Sequence, residues 1–352
     1  MPKIPGIDTS LFEKNYIING DMRIAQRGTS FVAIADSVYS LDRFIYQKSG
    51  AMVHTASQDT DAPTLAEADY LFQNSLRLNL TTPDTSIAAG DYALVSQKIE
   101  GYNWTNLAQK YCTLSFWVKA TLSGTYCVSF NNTGSDRSYI AEYVINAANT
   151  WEYKTVLVPP SPSAGSWNYV NGTGIIVRWT LAAGSTFQTT AGSWQTENYF
   201  ATANQVNGVN TGATDFRITG VMLNEGLVAA PFSTFDKSIE GDLDSCERYY
   251  QKSYRYSIAP GTPDSQGNYA NRGIASSNNE VSIELATRMR TQPTATAYST
   301  TTGAANMARD NSAGVDVSAT SSGFRGEKSV AFLVTQTAGN QYTWHWTADA
   351  EL

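Results

Sequence analysis

Tyr111–Phe130 reads YCTLSFWVKATLSGTYCVSF, and its pattern decides the fold. Leu114, Phe116 and Val118 share one face of an extended chain, and Tyr126, Val128 and Phe130 share another beyond the break at Leu122–Gly124. A period of two marks half-buried antiparallel strands, each turning one face to a core. The short break with its glycine predicts a hairpin turn between them. The same alternation recurs outward, at Leu76–Leu80, Tyr153–Val158, Gly174–Trp179 and Asp215–Leu223. Turn clusters at Asn131–Gly134, Pro159–Pro162 and Asn207–Gly208 punctuate these runs. Many short strands without intervening helices predict an all-β fold, with a jelly-roll β-sandwich over residues 15–237.

One segment breaks the pattern. Ser238–Tyr250, SIEGDLDSCERYY, places Ile239, Leu243, Cys246 and Tyr250 at helical spacing on one face, which predicts a short linking helix over 238–250. Beyond it, residues 251–352 read as a smaller C-terminal β domain, with strands at Val281–Leu285, Thr294–Tyr298, Val330–Val334 and Tyr342–Trp346. Gly303–Ser322 carries few large apolar side chains and reads as a loop or weak edge strand. Residues 1–14 read as a loosely ordered arm.

Composition narrows the function. Only 16% of the 352 residues are charged, and the chain holds 20 Tyr and 8 Trp, a balance suited to strands and turns with amphipathic aromatics on exposed faces. A net charge of −7 argues against binding a phosphate backbone, so no nucleic-acid partner is expected. The apolar runs are too short to span a bilayer, so no membrane insertion is expected, and MPKIPGIDTSLFEK has no apolar core of a secretory leader. Three cysteines, Cys112, Cys127 and Cys246, do not make a disulfide framework. If the break at Leu122–Gly124 sets the register, Cys112 lies opposite residues near Thr133 and away from Cys127. Buried free thiols are the expectation, as in a protein assembled in a reducing cytoplasm.

Several phrases resemble a family. NYIINGDMRIAQRGTSF (Asn15–Phe31) resembles the opening of β-sandwich domains in tailed-phage fibre and appendage proteins, and YSLDRF (Tyr39–Phe44) the phrase that follows it. TLSFWVKA (Thr113–Ala120) is similar to their central strand. Ile218–Gly226 with Ala230–Phe232 resembles their last strand and exit loop, and CERYY (Cys246–Tyr250) their closing helix. Arg288–Pro293 and Ala348–Leu352 resemble parts of their C-terminal units. The resemblance implies a virion structural protein: a carbohydrate-binding-module-like jelly roll plus a terminal β domain, forming a homotrimeric fibre or spike. Its implied partners are other virion proteins of tail, baseplate or capsid and a host surface polysaccharide. The sequence lacks the long fibrous repeats of a full-length tail fibre, which leaves a short spike or head appendage open.

Candidate sites follow from chemistry. Trp104, Trp167, Tyr169, Trp194 and Tyr199 lie in polar, loop-like contexts, where aromatic faces stack on sugar rings and neighbouring amides bind hydroxyls; packing at a core edge or subunit interface is the alternative. Trp117, Trp151 and Trp179, in or beside strands, are assigned to the core. His54 and His345 stand apart from other nitrogen or sulfur ligands, which argues against zinc. A structural calcium ion is the one cofactor the resemblance suggests, at Asp21 and Asp215, with solvated carboxylates or turn caps the plainer reading. No Walker loop, nucleophile elbow or HExxH motif occurs, and no pair of carboxyls is singled out, so no catalysis is expected. Glu225 belongs to a structural phrase. The linking helix, too short to be stable alone, must dock, either on its own domain or on a three-fold axis through Ile239, Leu243, Cys246 and Tyr250. Adhesion to host glycan is the expected function; a capsid decoration protein or a polysaccharide depolymerase is the alternative.

Overall fold

The computed structural model describes residues 14–212, 214–323 and 326–352. Residues 1–13, where most of the expected arm falls, lie outside the described residues. The chain forms two compact units, one holding Thr29–Asp242 with the opening stretch through Arg23, the other Leu243–Leu352 with Ile24–Gly28.

In the first unit the strands are β1 (Ser30–Phe31), β2 (Val38–Tyr39), β3 (Phe44–Ser49), β4 (Val53–Asp59), β5 (Ser75–Thr82), β6 (Tyr92–Glu100) and β7 (Cys112–Ala120). They continue with β8 (Gly124–Asn132), β9 (Arg137–Ile145), β10 (Glu152–Val158), β11 (Thr173–Ala183), β12 (Trp194–Thr196) and β13 (Asp215–Glu225). Two short helices, α1 (Leu65–Ala68) and α2 (Gly101–Trp104), sit between strands. Among the described residues these strands form two antiparallel sheets, ordered β1-β4-β5-β13-β7-β10 and β12-β9-β8-β11-β6-β3-β2. The fold is a jelly-roll β-sandwich.

The expected hairpin at Leu122–Gly124 does not form. β7 pairs with β10 and β13, whereas β8 pairs with β9 and β11, so the turn carries the chain from one sheet to the other. Both alternating faces still point into one core, because strands of opposite sheets face each other across the sandwich. Phe116 meets Trp179 edge-on at 5.8 Å and Tyr143 at 5.1 Å, and Tyr126 lies 5.9 Å from Phe216. Cys112 therefore pairs with Val158 and Glu225, not with residues near Thr133, and all three thiols are free and buried.

The start of the opening phrase, Asn15–Gly20, is bonded to both sheets of the sandwich. The buried amide of Asn15 donates to Val221 and Ser233 carbonyls and accepts from the Ile17 and Leu223 amides. Gln97 on β6 bonds both backbone groups of Ile18. One side chain thus ties the segment to each sheet. Gly20 lies so close to the Val221 carbonyl that a Cβ would stand 2.1 Å from its oxygen, and no other residue fits there. Asn224 shapes the exit loop in the same way, donating to Glu225 and Val228 carbonyls and accepting from Ala230. Glu225 pairs with Lys110 at the surface.

The main run of the second unit begins within helix α3 (Ile239–Glu247), at Leu243. It comprises β14 (Tyr250–Lys252), β15 (Tyr269–Arg272), β16 (Ser277–Glu284), β17 (Thr294–Ser299), β18 (Met307–Asp310), β19 (Val315–Ser321), β20 (Ser329–Gln336) and β21 (Gln341–Asp349). Two expectations are corrected here. Tyr250 is not helical; it opens β14, opposite Asp349 on β21. Gly303–Ser322 is neither a loop nor an edge strand: β18 and β19 lie inside the sheet path β14-β21-β18-β19-β20-β16. Their contribution to the core is small side chains, Ala308 and Ala319, both fully buried beside Phe332 and Trp344. Arg27, within this unit, stacks 3.7 Å from the Tyr250 ring centroid and pairs with Asp349 and Glu351.

Candidate functional site

Four of the five predicted aromatics converge at one end of the first unit's sandwich. Helix α2 ends β6 and is bonded to the loop before β11, Gly101 N–H to Gly172 and Tyr102 N–H to Val170. This turns Trp104 inward against Gly174, where an added Cβ would lie 2.4 Å from the Trp104 Cβ. Trp104 is only 2% exposed, so it is the base of a stack and not a sugar platform. Trp167 lies over it, centroids 5.6 Å apart and rings 20° from parallel, and Trp194 meets Trp167 edge-on at 5.8 Å. Tyr139 closes the row at 5.7 Å from Trp194. Both partly exposed indoles have satisfied N–H groups: Trp167 donates to the Ala164 carbonyl and Trp194 to the Pro159 carbonyl, each at 3.1 Å. What they expose is apolar indole surface. Tyr169, 40% exposed, lies in the same loop, where its carbonyl accepts from Thr105 at 3.3 Å.

Tyr199 belongs to an adjoining cleft of about 440 Å³ that Asp136, Arg137, Phe187 and Glu197 also line. β12 joins it to the indoles, since Trp194 pairs with Tyr139 and Thr196 with Arg137 on β9. A second link is Asp136, whose carboxylate accepts from Asn132 and from the N–H and hydroxyl of Ser166, the residue before Trp167. Those donors hold its carboxyl below the ordinary carboxylate range, so it is ionised and a poor general acid. Glu197 has φ 76°, a left-handed conformation that is strained for a residue with a Cβ, and accepts from the Tyr199 hydroxyl at 3.0 Å. Asp136 and Glu197 were not singled out by the sequence; no local pattern distinguishes them from the other acidic turn residues.

Trp179 is the fully buried core residue expected of it, but Trp117 and Trp151 are half-exposed. The reason lies in the alternation itself: with Leu114, Phe116 and Val118 inward, Trp117 faces out. Trp151 donates its N–H to Asp61 there.

The two carboxylates suggested for calcium do not fit that ion. Asp215 is gripped by Nε and Nη2 of Arg77 and by Arg217, within a network that includes Asp59 and Asp61. Asp21 pairs with Arg23 and accepts from the Tyr70 hydroxyl, in a different cluster. Among the described residues no three His, Cys, Asp or Glu side chains are grouped to hold a metal. Of the proposed trimer residues, Cys246 and Tyr250 are buried within the single chain, whereas Ile239 is 39% exposed and Leu243 half-buried.

No family model matches the sequence, and no curated protein matches it. Solved structures similar to part of the chain include the enzymatically active domain of bacteriophage CBA120 tailspike protein 4, at 17% identity and TM-score 0.33, covering 60% of this chain and 21% of that one. Another is TmCBM61 in complex with β-1,4-galactotriose, at 10% identity and TM-score 0.29, covering 60% of this chain and 99% of that one. A third is a family 11 carbohydrate-binding module of Clostridium thermocellum with a mixed-linked tetrasaccharide, at 8% identity and TM-score 0.29, covering 57% and 99%. None of these likenesses assigns a role to a residue here.

Proposed function

We propose that this protein is a non-enzymatic fibre or spike component of a tailed-phage virion, and that its jelly roll holds a host surface glycan on Trp167, Trp194 and the cleft beside Tyr199. The observation that carries the glycan reading is the pair of partly exposed indoles with satisfied N–H groups, beside a cleft lined by ionised Asp136 and by Arg137 and Glu197. Aromatic faces take the C–H faces of sugars, and charged and amide groups orient the hydroxyls. The virion assignment rests on the sequence phrases from Asn15 to Tyr250. Individual contacts of this kind are weak; three copies per spike and many spikes per particle would multiply them. Homotrimer formation is part of the proposal, with exposed Ile239 and half-buried Leu243 the candidates.

Affinity electrophoresis or calorimetry with purified host polysaccharide tests it. The wild type is expected to bind, and Trp167→Ala and Trp194→Ala each to weaken binding about tenfold or more, with circular dichroism unchanged. Binding untouched by either change would refute the site. Release of reducing sugar from the polysaccharide would refute the non-enzymatic reading. Light scattering giving one times 38.3 kDa rather than three would refute the trimer.

A further inference from the structure

The outer face of the six-stranded sheet carries a second, unrelated cavity. The pairing of β13 with β7 slips between Thr219 and Met222, and Gly220, at φ 59°, occupies the irregularity. Bulges of this sort re-aim side chains and open a sheet surface. Without a Cβ at Gly220, Phe72 and Trp117 close over it; a Cβ would stand 2.6 Å from the Phe72 ring and 3.0 Å from Trp117. Two aromatic walls rise from this floor. Trp117 and its cross-strand partner Tyr153 lie 5.4 Å apart at 48°. Opposite them, Tyr70 meets Phe232 edge-on at 4.8 Å, with Phe72 behind both at 4.6 and 5.0 Å. The cleft between them is about 420 Å³ and open to solvent on one side, with Glu67 and Asp69 on its lining.

The rim is negative and fixed. Thr64 and Glu67 form a capping box at the start of α1, and the Thr64 amide and hydroxyl both donate to Glu67, which holds its carboxyl below the ordinary range. Asp69, left-handed at φ 52°, turns the chain back so that Tyr70 enters the wall directly after it. The basic side chains nearby are paired, Lys119 with Asp61 at 2.8 Å and Arg23 with Asp21, and their charges reach Glu67 and Tyr70 respectively. Ring faces are electron-rich, and a box of them attracts a cation, more so beside carboxylates.

We propose that this cavity is a binding site for an ammonium group, presented by a quaternary amine or by an amino sugar with a free amine. The shared chemistry is a positive nitrogen flanked by C–H surface, small enough to sit between Trp117–Tyr153 and Tyr70–Phe232. The site is independent of the proposed glycan stack at Trp167 and Trp194.

Calorimetry on the full chain tests it, with choline chloride, glucosamine, N-acetylglucosamine and glucose as probes. Choline or glucosamine is expected to bind with a dissociation constant on the order of millimolar, which of the two it is telling quaternary from primary amine. N-acetylglucosamine, the same ring without the charge, is expected to bind at least about tenfold more weakly. Glu67→Gln combined with Asp69→Asn should weaken amine binding about three- to tenfold; glutamine keeps the capping geometry. Trp117→Leu should abolish it without changing the circular dichroism, while Trp167→Ala should leave it unchanged. Binding of neither amine, equal binding of the neutral sugars, or indifference to the loss of both rim charges would each overturn the proposal.

Discussion

Asp242→Asn should stabilise the protein at neutral pH, and the pH dependence of the gain identifies its origin. Asp242 lies in the first turn of α3 and is 1% exposed. One carboxylate oxygen accepts from the Asp236 amide at 2.9 Å; the other is buried with no hydrogen-bond partner among the described residues. Burial, together with the negative charges of Asp21 and Asp236, pushes its pKa up to about 6, and only the Asp236 amide and Arg23 oppose this. In the unfolded chain the carboxyl ionises near pH 4. Between about pH 4 and 6 the native state therefore keeps a proton that the unfolded state has released, so stability falls as pH rises through that window and levels off above it. A shift of this size corresponds to about 3 kcal/mol, and coupling to Asp21 reduces the expected effect of the substitution to about 2 kcal/mol. The opposing benefit of an anion at a helix N-terminus is about 0.3–1 kcal/mol, so burial wins. Asparagine keeps an acceptor for the Asp236 amide and removes the charge. Equilibrium urea unfolding, followed by tryptophan fluorescence at pH 4, 5, 6 and 7, should show variant and wild type matching at pH 4 and diverging to about 2 kcal/mol at pH 7. A constant difference across that range, or a destabilised variant at pH 7, would refute the reasoning and show the carboxylate to be a needed anion.

Other consequences are as direct. Gly174→Ala should cost about 1–3 kcal/mol, because its Cβ would collide with Trp104, and should also weaken glycan binding by displacing Trp167; thermal melts and polysaccharide titration check both. Arg178 is 6% exposed, packs 4.8 Å from the Phe200 ring, leaves one terminal nitrogen without a hydrogen bond and takes part in no ion pair among the described residues, and burial lowers its pKa to about 10. Arg178→Met should therefore be neutral or stabilising by about 1–2 kcal/mol in urea unfolding. Burial pushes Cys112 up to about 12 and Cys127 up to about 11, so neither should react with a thiol reagent at pH 8 until the chain is unfolded, as mass spectrometry of the labelled protein would show.

Strand positions were legible because large apolar residues alternate with polar ones, but alternation is identical whichever sheet a strand joins. That is why β7 and β8 read as a hairpin although they face each other across the core. Where the core is built from alanines, as at Ala308 and Ala319, the alternation carries little hydrophobic contrast and β18 and β19 were missed. The end of α3 was misplaced for a similar reason. Tyr249 and Tyr250 are both buried, so helical spacing and strand pairing each accommodate Tyr250, and only its partner Asp349, 99 positions away, decides for the strand. The glycan candidates were legible as tryptophans in polar loops. Their order was not, because Trp104 is buried by a four-residue helix and by the missing side chain of Gly174, neither of which has a local signature.

The loops that hold those tryptophans also bear on how the proposed adhesion would work. A site on loops ordinarily loses affinity to the ordering of side chains and backbone on binding. Here that ordering is already present. The α2 backbone is bonded to Val170 and Gly172, the Asn168 side-chain Oδ1 accepts from the Val170 and Gly172 amides, and Asp136 ties down Ser166. Trp167 is then fixed from three directions, by Trp104 beneath, Trp194 beside and the Ala164 carbonyl at its N–H. A rigid pair of indoles would give a weak contact that forms quickly and repeats with the same geometry in each copy of the proposed assembly. Avidity rewards such contacts, since every copy engages with the same geometry and none has to refold first.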